Sequence, residues 1–142
     1  SVGDSSALTL DDVAFAACGG DVAALEKGLE RVFLEGIAPV RVLRAAARHL
    51  QRLHLVAARR AAGASAEEAM AALRPPVFFK WKPAFRAQIA LWPPARAAGA
   101  LSLVIHAEID AKRTGMPAEL LCRHALMTVA ERAARAAQVP AA

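Results

Sequence analysis

Residues able to do chemistry are scattered along this chain rather than gathered. His49 and His54 are five apart and so face different directions on one helix, while His106 and His124 fall in separate segments. Cys18 and Cys122 are far apart and lack CxxC or Cys/His spacing, which implies neither a zinc set nor a disulfide framework but two buried free thiols. Asp11 with Asp12 and Glu67 with Glu68 read as helix starts, where carboxylates suit the dipole, and not as acid–base dyads. No GxxxxGK[ST] or GxGxxG loop, HExxH or nucleophile elbow occurs. The expectation is no catalytic residue, no metal and no cofactor.

Two charged groups remain. On a helix opened by Pro39 and running to about Ala62, Arg41, Arg44, Arg48, Arg52 and Arg59 fall within roughly 80° of one another, with Leu43, Ala46, Leu50, Leu53 and Ala57 opposite. Such a ridge is either a solvated face or a stripe for phosphates or an acidic partner. The second group is Glu108 and Lys112, four residues apart with the acid first, the favourable order for an intrahelical pair. They project among Ala97, Leu101, Val104, Ile105 and Ile109, which read as one apolar face. Charges so placed must pair with each other or meet a partner in another chain.

The elements that position these groups follow from punctuation. Thr9 and Asp12 resemble a capping box for a first helix that Gly19 and Gly20 end; Ser1–Leu8 reads as a linker. Asp21 caps a second helix, with Val22, Leu25, Leu29, Val32 and Phe33 inward and Gly36 as its stop. Ser65 and Glu68 box a short helix that carries Met70 and Leu73 and is closed by Pro75 and Pro76. Pro75–Trp92 then holds most of the aromatic side chains, and the spacing of Trp81, Phe85, Ile89 and Trp92 puts them on one face of a short helix. That face should be the hub of the core, with Trp81, between Lys80 and Lys82, either buried there or partly exposed to stack on a base or partner. A helix from Pro94 to about Arg113 follows. Pro117 opens the last, with Leu121, Cys122, Ala125, Leu126, Val129 and Ala133 inward and a frayed tail over residues 138–142.

With 142 residues, no Tyr, few β-branched residues and helix formers throughout, the chain reads as all-α: one helical bundle domain of about six to seven helices over residues 9–137. No run approaches a membrane span or a secretory signal, so a soluble, cytoplasmic protein with no membrane partner is expected. The net charge of +5 permits a polyanion partner without demanding one.

The order of segments resembles the C-terminal helical domain of the delta subunit of bacterial DNA polymerase III, a clamp-loader protein. The resemblance is carried by GDVAALEKGLERVFLEGIAPVRVLRAAARHLQRLHLV, PPVFFKWKPAFRAQIALW and AEIDAKRTGMPAELLCRHAL, together spanning roughly Gly20 to Leu126. It implies a collar domain, a non-catalytic oligomerisation module that packs in a ring with the gamma/tau and delta prime type subunits and supports sliding-clamp loading in DNA replication. The sliding clamp itself would be met only by a part of the subunit upstream of Ser1. The resemblance makes Glu108, Lys112, Arg113 and Thr114 candidates for subunit contact and Arg41, Arg44, Arg48, Arg52, Arg59 and Trp81 candidates for facing DNA. The rival expectation is an autonomous nucleic-acid-binding domain that uses the basic ridge.

Overall fold

The computed structural model describes the backbone of residues 2–139 and the side chains of residues 9–139. Seven α-helices follow in order: α1 (Val2–Gly19), α2 (Val22–Leu34), α3 (Pro39–Ala61), α4 (Ala66–Ala71), α5 (Lys82–Ile89), α6 (Pro94–Ala111) and α7 (Ala118–Gln138), with a 3-10 turn at Phe79–Trp81 leading into α5. The domain is all-α, and no strand occurs among the described residues.

Most boundaries obey local chemistry. The Asp21 carboxylate accepts from the Ala24 amide at 3.1 Å and starts α2, and Ser65 with Glu68 forms the reciprocal capping box of α4. Pro39 and Pro94 stand in the first turns of α3 and α6. Gly36, Gly63 and Gly115 follow α2, α3 and α6 with positive φ.

The first helix departs from the expected start. It runs from Val2, so the stretch expected to be a linker is helical from that residue on; Ser1 lies outside the described residues, as do residues 140–142 of the expected tail. Thr9 is 3% exposed in mid-helix rather than a cap, and Asp11 and Asp12 likewise sit in the body of α1 instead of at its start. Small polar residues without a proline do not bar a helix when tertiary contacts support it. Those contacts are extensive, because α1 packs against α2, α3, α5 and α7 and buries Val13, Ala14, Ala17 and Cys18. A helix enclosed on several sides shows little amphipathic contrast.

α3 is the other axis, packed against α6 most extensively and also against α1, α4, α5 and α7. Its buried arc includes Val42, Leu43, Ala46, Leu50, Leu53 and Val56. The aromatic segment is a hub in part: Phe85, Ile89 and Trp92 are buried, and the Trp92 indole N–H donates to the Cys18 carbonyl at 2.8 Å. Helix α5 ends at Ile89, however, so Trp92 reaches the core from the turn before α6 rather than from the helix. Phe78 and Phe79 stand outside, 53% and 67% exposed.

Gly20, between α1 and α2, has φ +78°, and a Cβ there would lie 2.8 Å from the Ala134 backbone nitrogen in α7. Both the left-handed backbone and the absent side chain are therefore used. Gly20→Ala is expected to lower the unfolding free energy by about 2 kcal/mol or more, measured by urea titration with the wild-type slope preserved.

Candidate functional site

Two surfaces emerge from this packing. One is a cleft of about 380 Å³ between α1, α3 and the Pro75–Trp81 segment. Because side chains four and seven apart share a helix face, α3 turns Arg41, Arg48 and Arg52 toward it, while α1 supplies Asp11 and Phe15 and the third wall carries Phe78 and Trp81. The Trp81 indole is half-buried and stacks on Phe15 with ring centroids 4.1 Å apart, leaving one face of the indole covered. Trp81 thus belongs to the cleft wall and is neither fully core nor free.

Beneath the cleft, His49 is buried and its Nε2 lies 2.7 Å from Gln88 Oε1; Gln88 in turn donates from Nε2 to the Phe15 carbonyl at 3.0 Å. That chain ties α3, α5 and α1 together. Loss of solvent, only partly offset by the Gln88 hydrogen bond, pulls His49 down to about 4. Burial pushes the Asp11 carboxyl above its ordinary range against the attraction of Arg48 and Arg52.

The structure divides the five arginines of the ridge. Arg44 reaches Glu108 on α6 at 3.2 Å, Arg52 donates to the Pro75 carbonyl at 2.7 Å, and Arg59 donates to the Ala69 carbonyl at 3.4 Å. Arg41 and Arg48 are exposed, and neither side chain makes a hydrogen bond or ion pair among the described residues. The ridge is therefore two uncommitted cations in a row of partly engaged ones.

The second surface is on α6. Its buried residues are Ala97, Ala100 and Val104, so the face against α3 is rotated from the expected one and Ile105 and Ile109 are left 39% and 55% exposed. Small side chains take the inner positions because α3 and α6 lie close along their length, with Arg44 meeting Glu108 near one end and His54 facing Ala98 and Leu101 near the other. That antiparallel arrangement leaves half-buried Leu101 beside exposed Ile105 and Ile109 on the outer flank of α6.

Glu108 and Lys112 meet each other. The Lys112 Nζ lies 2.8 Å from the Glu108 carboxylate, which also receives Arg44, and the Lys112 hydrogen bond is the main reason that carboxyl titrates below the ordinary range. These charges are satisfied within the chain, so they do not call for a partner in another subunit. Arg113 makes a loose 3.8 Å contact with Asp110, and Thr114 is exposed in the turn that follows.

The remaining candidates do not converge. His54 borders the α3–α6 surface, His106 Nδ1 lies 2.8 Å from the Ser102 carbonyl of its own helix, and His124 is exposed on α7. Cys18 and Cys122 are free and buried, with burial raising both thiols. Among the described residues no group of three His, Cys, Asp or Glu side chains could hold a metal ion, and no helix is long and apolar enough to cross a membrane. Compared with protein-family models, curated proteins and solved structures, the chain matches none.

Sequence reasoning placed Asp11 at a helix start rather than in a cleft, and gave no site role to Phe15 or to the exposed pair Phe78 and Phe79. Phe15 had a usable signal, since it follows Asp11 by four residues and so shares its face.

The buried imidazole sets a pH dependence. With a folded value near 4 against an ordinary 6.5, the unfolded chain binds a proton in that interval that the folded chain refuses, so stability should fall as pH is lowered through it and level off below. The loss expected from this group is roughly 3 kcal/mol. His49→Gln, which keeps a hydrogen-bonding partner for Gln88, should flatten the dependence between pH 6.5 and 4.5 in urea titrations; an unchanged slope in the variant would contradict the assignment.

Proposed function

We propose that this chain is the helical collar domain of a bacterial DNA polymerase III delta subunit: a non-catalytic module that docks against gamma/tau and delta prime type subunits and so helps hold a clamp loader together during DNA replication. The observation that carries the reading is the uncovered apolar pair Ile105 and Ile109 on α6, beside half-buried Leu101, on a helix that otherwise serves as a structural wall. It is supported by the three resembling segments, which include α2, most of α3, the aromatic segment with α5, the last turn of α6 and the start of α7. A stable interface of this kind buries roughly 1,000 Å² or more, with a few large apolar anchors near its centre. Ile105 and Ile109, one turn apart, have the size and spacing of such anchors.

Docking on this reading is apolar. Glu108 and Lys112 are engaged with each other and with Arg44, so they act by fixing the helix beneath the stripe, while Arg113 and Thr114 stand at the edge of the contact. The domain carries no catalytic role in this reading; polymerisation would belong to the holoenzyme that the subunit serves.

A second reading, a nucleic-acid-binding domain, draws its support from the basic residues beside Trp81. Its reach is limited by geometry, because only Arg41 and Arg48 of the ridge are uncommitted and Asp11 stands in the same cleft. Two phosphate contacts on a single strand give a salt slope of only about −1.4, against the much steeper dependence of a five-arginine track.

Mixed with gamma and delta prime subunits, the chain should co-elute with them in size-exclusion chromatography with light scattering. Ile105→Glu with Ile109→Glu should weaken that association at least ten-fold, about 1.4 kcal/mol, without loss of helical circular dichroism. Absence of any joint species with the wild-type chain would overturn the collar reading.

A further inference from the structure

We infer that the cleft between α1, α3 and the Pro75–Trp81 segment docks a short acidic peptide, whose two carboxylates, three residues apart, meet Arg41 and Arg48 while a neighbouring apolar side chain enters the cleft. The inference does not rest on the collar reading, which concerns the α6 stripe.

The spacing carries the first part of the argument. Arg41 and Arg48 are seven residues apart on α3, about 10 Å along its axis and nearly on one line. A polyproline-type peptide has three residues per turn and rises about 3.1 Å per residue, so its side chains three apart share one side at about 9 Å. Carboxylates so spaced can each take a bidentate guanidinium contact, the strong form of this hydrogen bond. Neither arginine has a hydrogen bond or ion pair to give up, and the repulsion between Arg48 and Arg52 is only partly offset by the attraction of both to Asp11, which leaves a positive excess for an anion.

The cleft supplies the second part. Both arginines line it, and its apolar lining includes Leu10, Ala14, Phe15, Ala45 and Val77. A peptide residue next to one of the carboxylates turns about 120° from it in this conformation, toward that lining. The volume of about 380 Å³ is within the range of ligand pockets and suits one or two apolar side chains.

The same features disfavour a nucleic acid strand. Three of the five ridge arginines are turned to Glu108 or to backbone carbonyls, and Phe15 covers one face of Trp81. A continuous phosphate track is therefore missing, whereas a two-point anionic motif with an apolar centre finds both its requirements.

The test is fluorescence anisotropy on the 142-residue protein with three labelled probes. These are a Gly/Ser dodecapeptide carrying two glutamates three residues apart around a Leu-Phe pair, the same peptide with both glutamates changed to glutamine, and a 12-nucleotide oligothymidylate. Saturable binding of the glutamate peptide is expected, with affinity at least ten-fold lower for the glutamine peptide and at least ten-fold lower for Arg41→Ala with Arg48→Ala. Both arginines are exposed, so the double variant should keep its helical circular dichroism, and Arg60→Ala on the same helix should bind like wild type. The inference is overturned by no saturable binding of the glutamate peptide, by binding indifferent to the glutamines or to the arginine substitutions, or by arginine-dependent binding of the oligothymidylate tighter than that of the peptide.

Discussion

A chain this rich in alanine can fill a core only by bringing helix backbones close together. Small side chains bury little area each, so the stability of the domain depends on many short contacts at close range rather than on a few large ones. The structure satisfies that constraint where α3 meets α6 across Ala97, Ala100 and Val104, and where α1 crosses α2. At the second crossing a Cβ on Gly28 would come within 2.8 Å of Val13 Cγ2. Larger side chains complete the core, with Leu25, Leu29, Leu43, Leu50, Leu53 and Leu126 fully buried on the helices. Trp92 and Phe85 are sunk between α1 and the aromatic segment, one held by the Cys18 carbonyl and the other beside the Phe15 and His49 rings.

The same constraint decides what is left outside. When the inner face of a helix is taken by alanines, its larger apolar residues are displaced to the flank. Ile105 and Ile109 are there because Ala100 and Val104 are inside, and not because the helix lacks a core face. A similar displacement puts Phe78 and Phe79 on the surface ahead of α5 while Phe85 takes the buried position. Exposed bulky residues next to a well-packed alanine seam are thus a by-product of how this core is made, and a ready surface for contact.

How much of this could be read in the sequence depends on the kind of signal. Helices α2 and α3 were legible almost to the residue and α4 at its start, because Asp21, Pro39 and the Ser65–Glu68 box are local devices that act through the backbone of the same turn; α4 ends at Ala71, short of Leu73 and of the prolines expected to close it. The start of α1 was not, since its helix is supported by four neighbouring helices and its polar first turns carry no periodic pattern. The inner face of α6 was misjudged for a different reason. Two adjacent stripes, Ala97–Ala100–Val104 and Leu101–Ile105–Ile109, are both apolar at helical spacing, and only the nearness of α3 selects the smaller one. The arginine ridge was legible as a ridge; its division into engaged and uncommitted members was not, because the partners Glu108, Pro75 and Ala69 belong to other segments.

Charge and apolar surface then have separate tasks. Arg44, Glu108 and Lys112 form a cluster that spans α3 and α6, and being half-exposed at its arginine and lysine ends it adds little to stability, about 1 kcal/mol or less for each pair. Its geometric effect is larger. The Arg44 contact is the one that crosses to α3, so a rotation of α6 that turned Ile105 inward would have to break it and drive a larger side chain into the alanine seam. The Arg44–Glu108 contact and the alanine seam thus favour the same orientation of α6, the one that leaves Ile105 and Ile109 on the outer flank.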